Sequence, residues 1–277
     1  MFDFRYHALS LVAVFLALGI GIVLGASLGD SVISQANKDV SGSLKNDVVT
    51  AREDARTAKA AVNNRDAFIA AAFARLAGGK LRGQRVAIVS SGGLPQEVES
   101  SVRTAVTDSG GTVDSVSKFD AKPDLLALGN KLGPRFSLLG TNPGQLRPLG
   151  RRLGRSLVYG TKPAHKLQTA FPDAFSGDYR GANAVVYYRA DAPRDAQSQR
   201  FEAALTEGLR DTAVPVVGVE RSDEQPSQIP FYVRQGLSTV DDIDQPAGRV
   251  ALVLALAGAS GNFGFKSTAD SPLPAGK

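Results

Sequence analysis

The run from Ala8 to Leu28, ALSLVAVFLALGIGIVLGASL, holds no charged side chain over about 21 residues, enough for one helix to cross a hydrocarbon core roughly 30 Å thick. No later apolar run approaches that length, and Val250 to Ala259, at about ten residues, reads as a core helix. One membrane anchor carrying a water-soluble remainder is therefore expected. A cleavable signal peptide is the competing reading, because the run is N-terminal and Ala26 and Ser27 are small. Signal h-regions span roughly 7 to 15 residues, whereas this run continues through Gly25 to Gly29 without an A-x-A site, which favours an uncleaved anchor. Arg5 and the terminal amine stand before the run against Asp3, while Asp30 follows it and the first basic residue beyond is Lys38. The positive-inside rule then expects a single-pass protein of the cell membrane with a cytoplasmic N-terminus and an extracytoplasmic bulk.

Within the run, Ala13, Ala17, Gly21, Gly25 and Gly29 recur at every fourth position. Such a stripe of small residues lets two helix backbones approach closely and is a candidate dimerisation face.

The rest of the composition narrows the chemistry. Cysteine is absent, which removes disulfides, thiolate metal sites, iron-sulfur clusters and cysteine nucleophiles. Histidine occurs only as His7 and His165, and methionine only as Met1. A soft Cu(I) site wants thiolate or thioether ligands and a zinc site several Cys or His, and the soluble part supplies neither. The formal charge of +5 is modest and comes with no recognisable nucleic-acid module, so no nucleic-acid partner is expected. No cofactor is expected either.

After the anchor (residues 1–29), residues 30–79 are alanine-rich and free of proline, a helical composition. Leu44, Val48, Ala51, Ala55, Ala58, Val62, Arg65, Ile69, Ala72 and Leu76 alternate at four and three residues, the spacing of a coiled-coil seam. A dimeric stalk and a single helix lying on the globular domain are both compatible with this pattern. Gly78 and Gly79 close the helix, and an α/β globular domain occupies residues 80–277. There VAIVS (86–90), TVDSVS (112–117), AVVYY (184–188) and VPVVGV (214–219) read as strands. Helices open at Pro95, run from Arg194 to Leu209, and start again at Pro246. The alternation implies a mostly parallel α/β sandwich with helices on both faces.

Motifs that carry chemistry are sparse. Gly92 and Gly93 follow the first strand, where backbone amides can face a phosphate, but there is no G-x-G-x-x-G and no Walker lysine, so a structural turn is expected. His165 stands in TKPAHKLQT without a nucleophile motif and reads as a solvated surface residue. Between Asp124 and Asp173 there is no acidic residue, yet Lys131, Arg135, Arg147, Arg151, Arg152, Arg155, Lys162 and Lys166 fall there. Arg147, Arg151, Arg152 and Arg155 form the candidate patch for an anionic partner, unless acids from elsewhere in the chain neutralise them. Asp241, Asp242 and Asp244 could hold a hard cation. The competing and favoured role is a structural junction in which Asp244 caps the helix that Pro246 opens.

The opening FRYHALSLVAVFLALGIGIVLG, the stalk, and above all the closing LSTVDDIDQPAGRVALVLALAGASGNFGF resemble the actinobacterial copper transport protein B (MctB) family. The resemblance spans essentially the whole chain, with residues 118–181 matching only in general character. It implies a role in copper transport or copper homeostasis at the cell envelope. It also implies kinship with partners of a cytoplasmic division protein that controls peptidoglycan hydrolases. A lone helix is no pore unless several copies assemble, and no nucleophile, base and cofactor motif converge. A non-enzymatic, dimeric, membrane-anchored envelope protein is the expectation.

Overall fold

The computed structural model describes residues 4–137 and 143–274, with side chains except those of residues 4–6, 27–43 and 143. The chain divides into two compact units, Met1–Asn64 and Arg65–Lys277.

Helix α1 runs from Phe4 to Leu76. It carries the apolar stretch His7–Ala26, of mean hydropathy 2.6, the one described helix long and apolar enough to cross a membrane. Every side chain in that stretch is exposed, as on a helix that meets lipid rather than a protein core. Gly42 does not interrupt α1, since a single interior glycine costs only about 1 kcal/mol against alanine. The final turns of α1 belong to the globular unit. Phe73 packs on its core, Ala77 is fully buried, and the Arg65 guanidinium lies 5.4 Å from the Phe265 ring centre.

Strand β1 (Arg85–Ser91), helix α2 (Gln96–Asp108) and strand β2 (Thr112–Phe119) form the first β-α-β unit. Helices α3 (Leu125–Leu132), α4 (Leu146–Tyr159) and α5 (Lys162–Ala170) follow, then the short strand β3 (Phe175–Gly177). Strand β4 (Ala184–Arg189), helix α6 (Ala196–Arg210) and strand β5 (Val216–Val219) repeat the alternation. Helix α7 (Ile229–Arg234), strand β6 (Ser238–Val240), helix α8 (Pro246–Leu256) and strand β7 (Asn262–Phe263) complete it.

The strands make one sheet in the order β3-β2-β1-β4-β5-β6-β7, parallel throughout except for the antiparallel β2–β3 pair. The central strands are apolar on both faces because both are covered. Successive residues of β1 serve opposite cores, as the strand period of two requires. Ala87 and Val89 face the layer of α3 to α7, while Val86 and Ile88 face α2, α8 and the end of α1. The mostly parallel α/β sandwich read from the sequence is present.

Helices α4 and α6 cross backbone to backbone. A Cβ on Gly154 would lie 2.3 Å from the Leu205 carbonyl oxygen, and one on Gly208 would lie 2.3 Å from that of Arg151. The spacing Gly150-xxx-Gly154 therefore acts here as a small-residue contact inside the soluble unit.

Candidate functional site

In an open α/β sheet, ligands bind outside the carboxyl ends of the strands where the strand order reverses. Here that point lies between β1 and β4. The chain fills it with its own side chain. Arg194, its side chain 2% exposed, donates through Nη1 to the carbonyls of Ala190 (3.0 Å) and Ala192 (2.8 Å), and through Nη2 to the Ser91 carbonyl (3.0 Å) and hydroxyl (3.2 Å). A Cβ on Gly92 would come within 3.1 Å of that guanidinium, so the Gly92–Gly93 turn accommodates the arginine. The charge is balanced by buried Glu202, which lies 3.1 Å from Arg194 Nε and 3.1 Å from Arg189 Nε, and accepts from the Tyr187 hydroxyl at 2.9 Å. Burial and the neighbouring Glu202 carboxylate raise the Tyr187 phenol well above its ordinary range, so it stays a donor. Arg194 carries no signal in the sequence beyond marking a helix start, because what buries it is its contact with Ser91, on the distant end of β1.

At the other side of the same sheet edge, the DDID segment of the closing motif is built into a junction. Asp241 is buried, and its carboxylate oxygens accept the amides of Phe265 (2.9 Å) and Lys266 (3.0 Å). Gly264 is required there, since a Cβ would lie 1.8 Å from Asp241 Oδ1. Lys266 Nζ reaches buried Glu220 at 2.5 Å and the carbonyls of Arg221 (2.9 Å) and Glu224 (3.2 Å), so the chain supplies its own cation to that pocket. Asp244 does not cap α8. Its carboxylate accepts the Ser222 amide and hydroxyl, both at 2.6 Å, and the Gln245 side chain at 2.7 Å, while Gln245 occupies the N-cap without a side-chain bond. Ser222 offers two donors to one carboxylate, whereas Pro246 in the first turn offers none. Burial pushes the Asp244 carboxyl up, but these donors outweigh it and hold it below the ordinary range. Asp241 and Asp244 thus face separate partners. Among the described residues no group of three or more His, Cys, Asp or Glu is placed to hold a metal ion.

Asp242 is the exception to this pairing. It is 2% exposed, and neither carboxylate oxygen has a hydrogen-bond partner. It sits against the first turn of α8, where a Cβ on Gly248 would lie 2.6 Å from Oδ1. Burial, then Asp241 and Asp244, push its carboxyl up to about 7, against the opposing pull of Lys266 and Arg65.

The four candidate arginines do share one surface. Arg135, Phe136, Arg147, Pro148, Arg151, Arg152 and Arg155 line a single hollow of about 320 Å³. Two of the four are neutralised by α6 and its C-cap: Arg147 binds Glu207 at 2.7 and 3.0 Å, and Arg151 binds Asp211 at 2.5 Å. Arg152 lies over the Phe136 ring at 5.7 Å, and no ion pair among the described residues involves Arg152 or Arg155. The patch is thus narrower than the charge run suggested. His165 is exposed, its ring Nε2 3.1 Å from the Gly160 carbonyl. In the apolar stretch, a Cβ at Gly21 or Gly25 would meet nothing within 4 Å, so that part of the stripe is open in the single chain. Gly29, at its end, lies outside the residues whose surroundings are described.

Comparison with known proteins matches residues 1–274 to the family described as copper transport outer membrane protein, MctB. Proteins named copper transporter MctB from Mycobacterium bovis (strain ATCC BAA-935 / AF2122/97) and Mycobacterium tuberculosis (strains CDC 1551 / Oshkosh and ATCC 25618 / H37Rv) are similar. Each is 27% identical over 299 aligned positions, covering 92% of this chain and 92% of the relative. With the family match running from one end of the chain to the other, this protein belongs to the MctB family of membrane-associated copper transport proteins.

Proposed function

We propose that this chain serves copper homeostasis as a non-enzymatic, dimeric scaffold anchored by one helix, with its α/β unit on the extracytoplasmic side, and does not itself hold or conduct copper. The copper link is the family's. The observation that carries the rest is the state of the ligand-binding edge of the sheet, where Arg194 fills the crevice and Lys266 fills the acidic pocket. The donor set agrees: with no cysteine, Met1 as the only methionine and His165 alone and exposed, the soluble unit has no soft ligand set for Cu(I). Arg152 and Arg155, which have no ion pair among the described residues, give such a scaffold a face for an anionic envelope partner.

The test is a Cu(I) competition titration on the full chain in detergent, using a chelator of known affinity. The expected outcome is no site tighter than micromolar. A site tighter than micromolar that survives replacement of Met1 and His7 would overturn the proposal.

A further inference from the structure

Helix α1 presents an exposed apolar stripe. Leu44 is 63% exposed, Val48 41% and Val62 43%, and Ala51, Ala55 and Ala58 between them are exposed too. The four-three alternation places Val48, Ala55 and Val62 at the a positions of a heptad and Leu44, Ala51 and Ala58 at d. The flanks then separate by sign. Lys45, Arg52 and Lys59 occupy the e positions, and Asp47 and Asp54 occupy g. None of these five charged side chains has an ion-pair partner among the described residues. The stripe ends at Arg65, which takes the next d position but lies over Phe265 of the globular unit.

We infer that residues 44–62 bind a second copy of this chain as a parallel, in-register two-stranded coiled coil whose orientation is fixed by Asp47 against the partner's Arg52 and Asp54 against the partner's Lys59. In a parallel pair each g residue lies beside the e residue five positions on in the other helix, so both aspartates meet a cation, and each pair occurs twice by symmetry. An antiparallel pair sets e beside e and g beside g, which places cation against cation and aspartate against aspartate. A parallel stagger of one heptad brings Asp54 against the partner's Asp66. It also displaces the two chains by roughly 10 Å along the axis, which two anchors in one bilayer oppose. The three alanines of the seam let the backbones approach closely but bury little area, so charge on the flanks decides orientation more than the seam does.

This inference rests on the dimeric reading above, and the experiment separates the two. The chain has no native cysteine, so single replacements report cleanly. Full-length Val48→Cys, Val62→Cys and, as an outward-facing control, Thr50→Cys are purified in detergent, sized for oligomeric state and treated with a short bis-maleimide. Dimers with efficient 48–48 and 62–62 crosslinks, little at 50, and no 48–62 crosslink in a mixture are expected. Adding Asp47→Lys and Asp54→Lys should cut the 48–48 yield at least fivefold at low salt. Adding Arg52→Asp and Lys59→Asp as well should restore it. A monomer defeats both the dimer and this inference. A dimer that crosslinks 48 to 62, or at neither homologous position, or that ignores the charge swaps, leaves the dimer standing and defeats the register.

Discussion

Asp242 is a carboxyl group buried without a donor, and the surroundings make it hold its proton to about pH 7. In the unfolded chain the same group ionises near pH 4. Between those values folding takes up a proton, so this group's contribution to stability falls as pH rises from about 4 to 7 and is flat above. Asp242→Asn removes the titration. It should raise the melting temperature at pH 8, by a free energy on the order of a few kcal/mol, and change it little at pH 4. Melts across pH 4 to 8 check this, and equal effects at both ends would show that Asp242 is not the buried acid described. The sequence displayed the DDID segment but not its division of labour. Which of three neighbouring aspartates is bonded to Phe265 and Lys266, which to Ser222 and which to nothing depends on loops more than twenty residues away.

Strands and the first helices were legible because VAIVS and AVVYY are apolar on both faces and are bounded by glycine, proline or polar turns. In the sequence, the segment Leu146–Tyr159 stands out only for its charge. Its leucines at 146, 149, 153 and 157 follow the helical period and bury against the sheet, while its glycines face α6. What α4 packs on is a long-range fact that no local pattern carries. Gly154→Val should therefore lower stability by about 3 kcal/mol or more, since the new side chain meets fixed backbone at Leu205 and Leu209. Gly25→Ala, which meets nothing in the single chain, should leave the melting of the globular unit unchanged. Thermal melts of the two variants side by side check the contrast. Similar losses in both would mean that the α4–α6 contact is not the close packing described.

At the scale of the whole molecule, one apolar helix among the described residues, an exposed seam with sign-separated flanks, and a sheet whose ligand crevice is filled from within support the proposed anchored scaffold. A conduit through the bilayer needs a polar path enclosed by several helices or a closed barrel. Each copy contributes one helix whose described membrane residues, from His7 to Ala26, include no charged side chain of Asp, Glu, Lys or Arg. On the proposed function, the chain works in copper homeostasis without passing copper itself. The most direct measurement is copper flux into liposomes reconstituted with the full-length protein at high density, read by an encapsulated copper-sensitive dye. A rate indistinguishable from that of protein-free vesicles is expected. A protein-dependent flux that saturates with copper and disappears in Gly21→Ile, Gly25→Ile variants would contradict it and make the assembled helices a path for the metal.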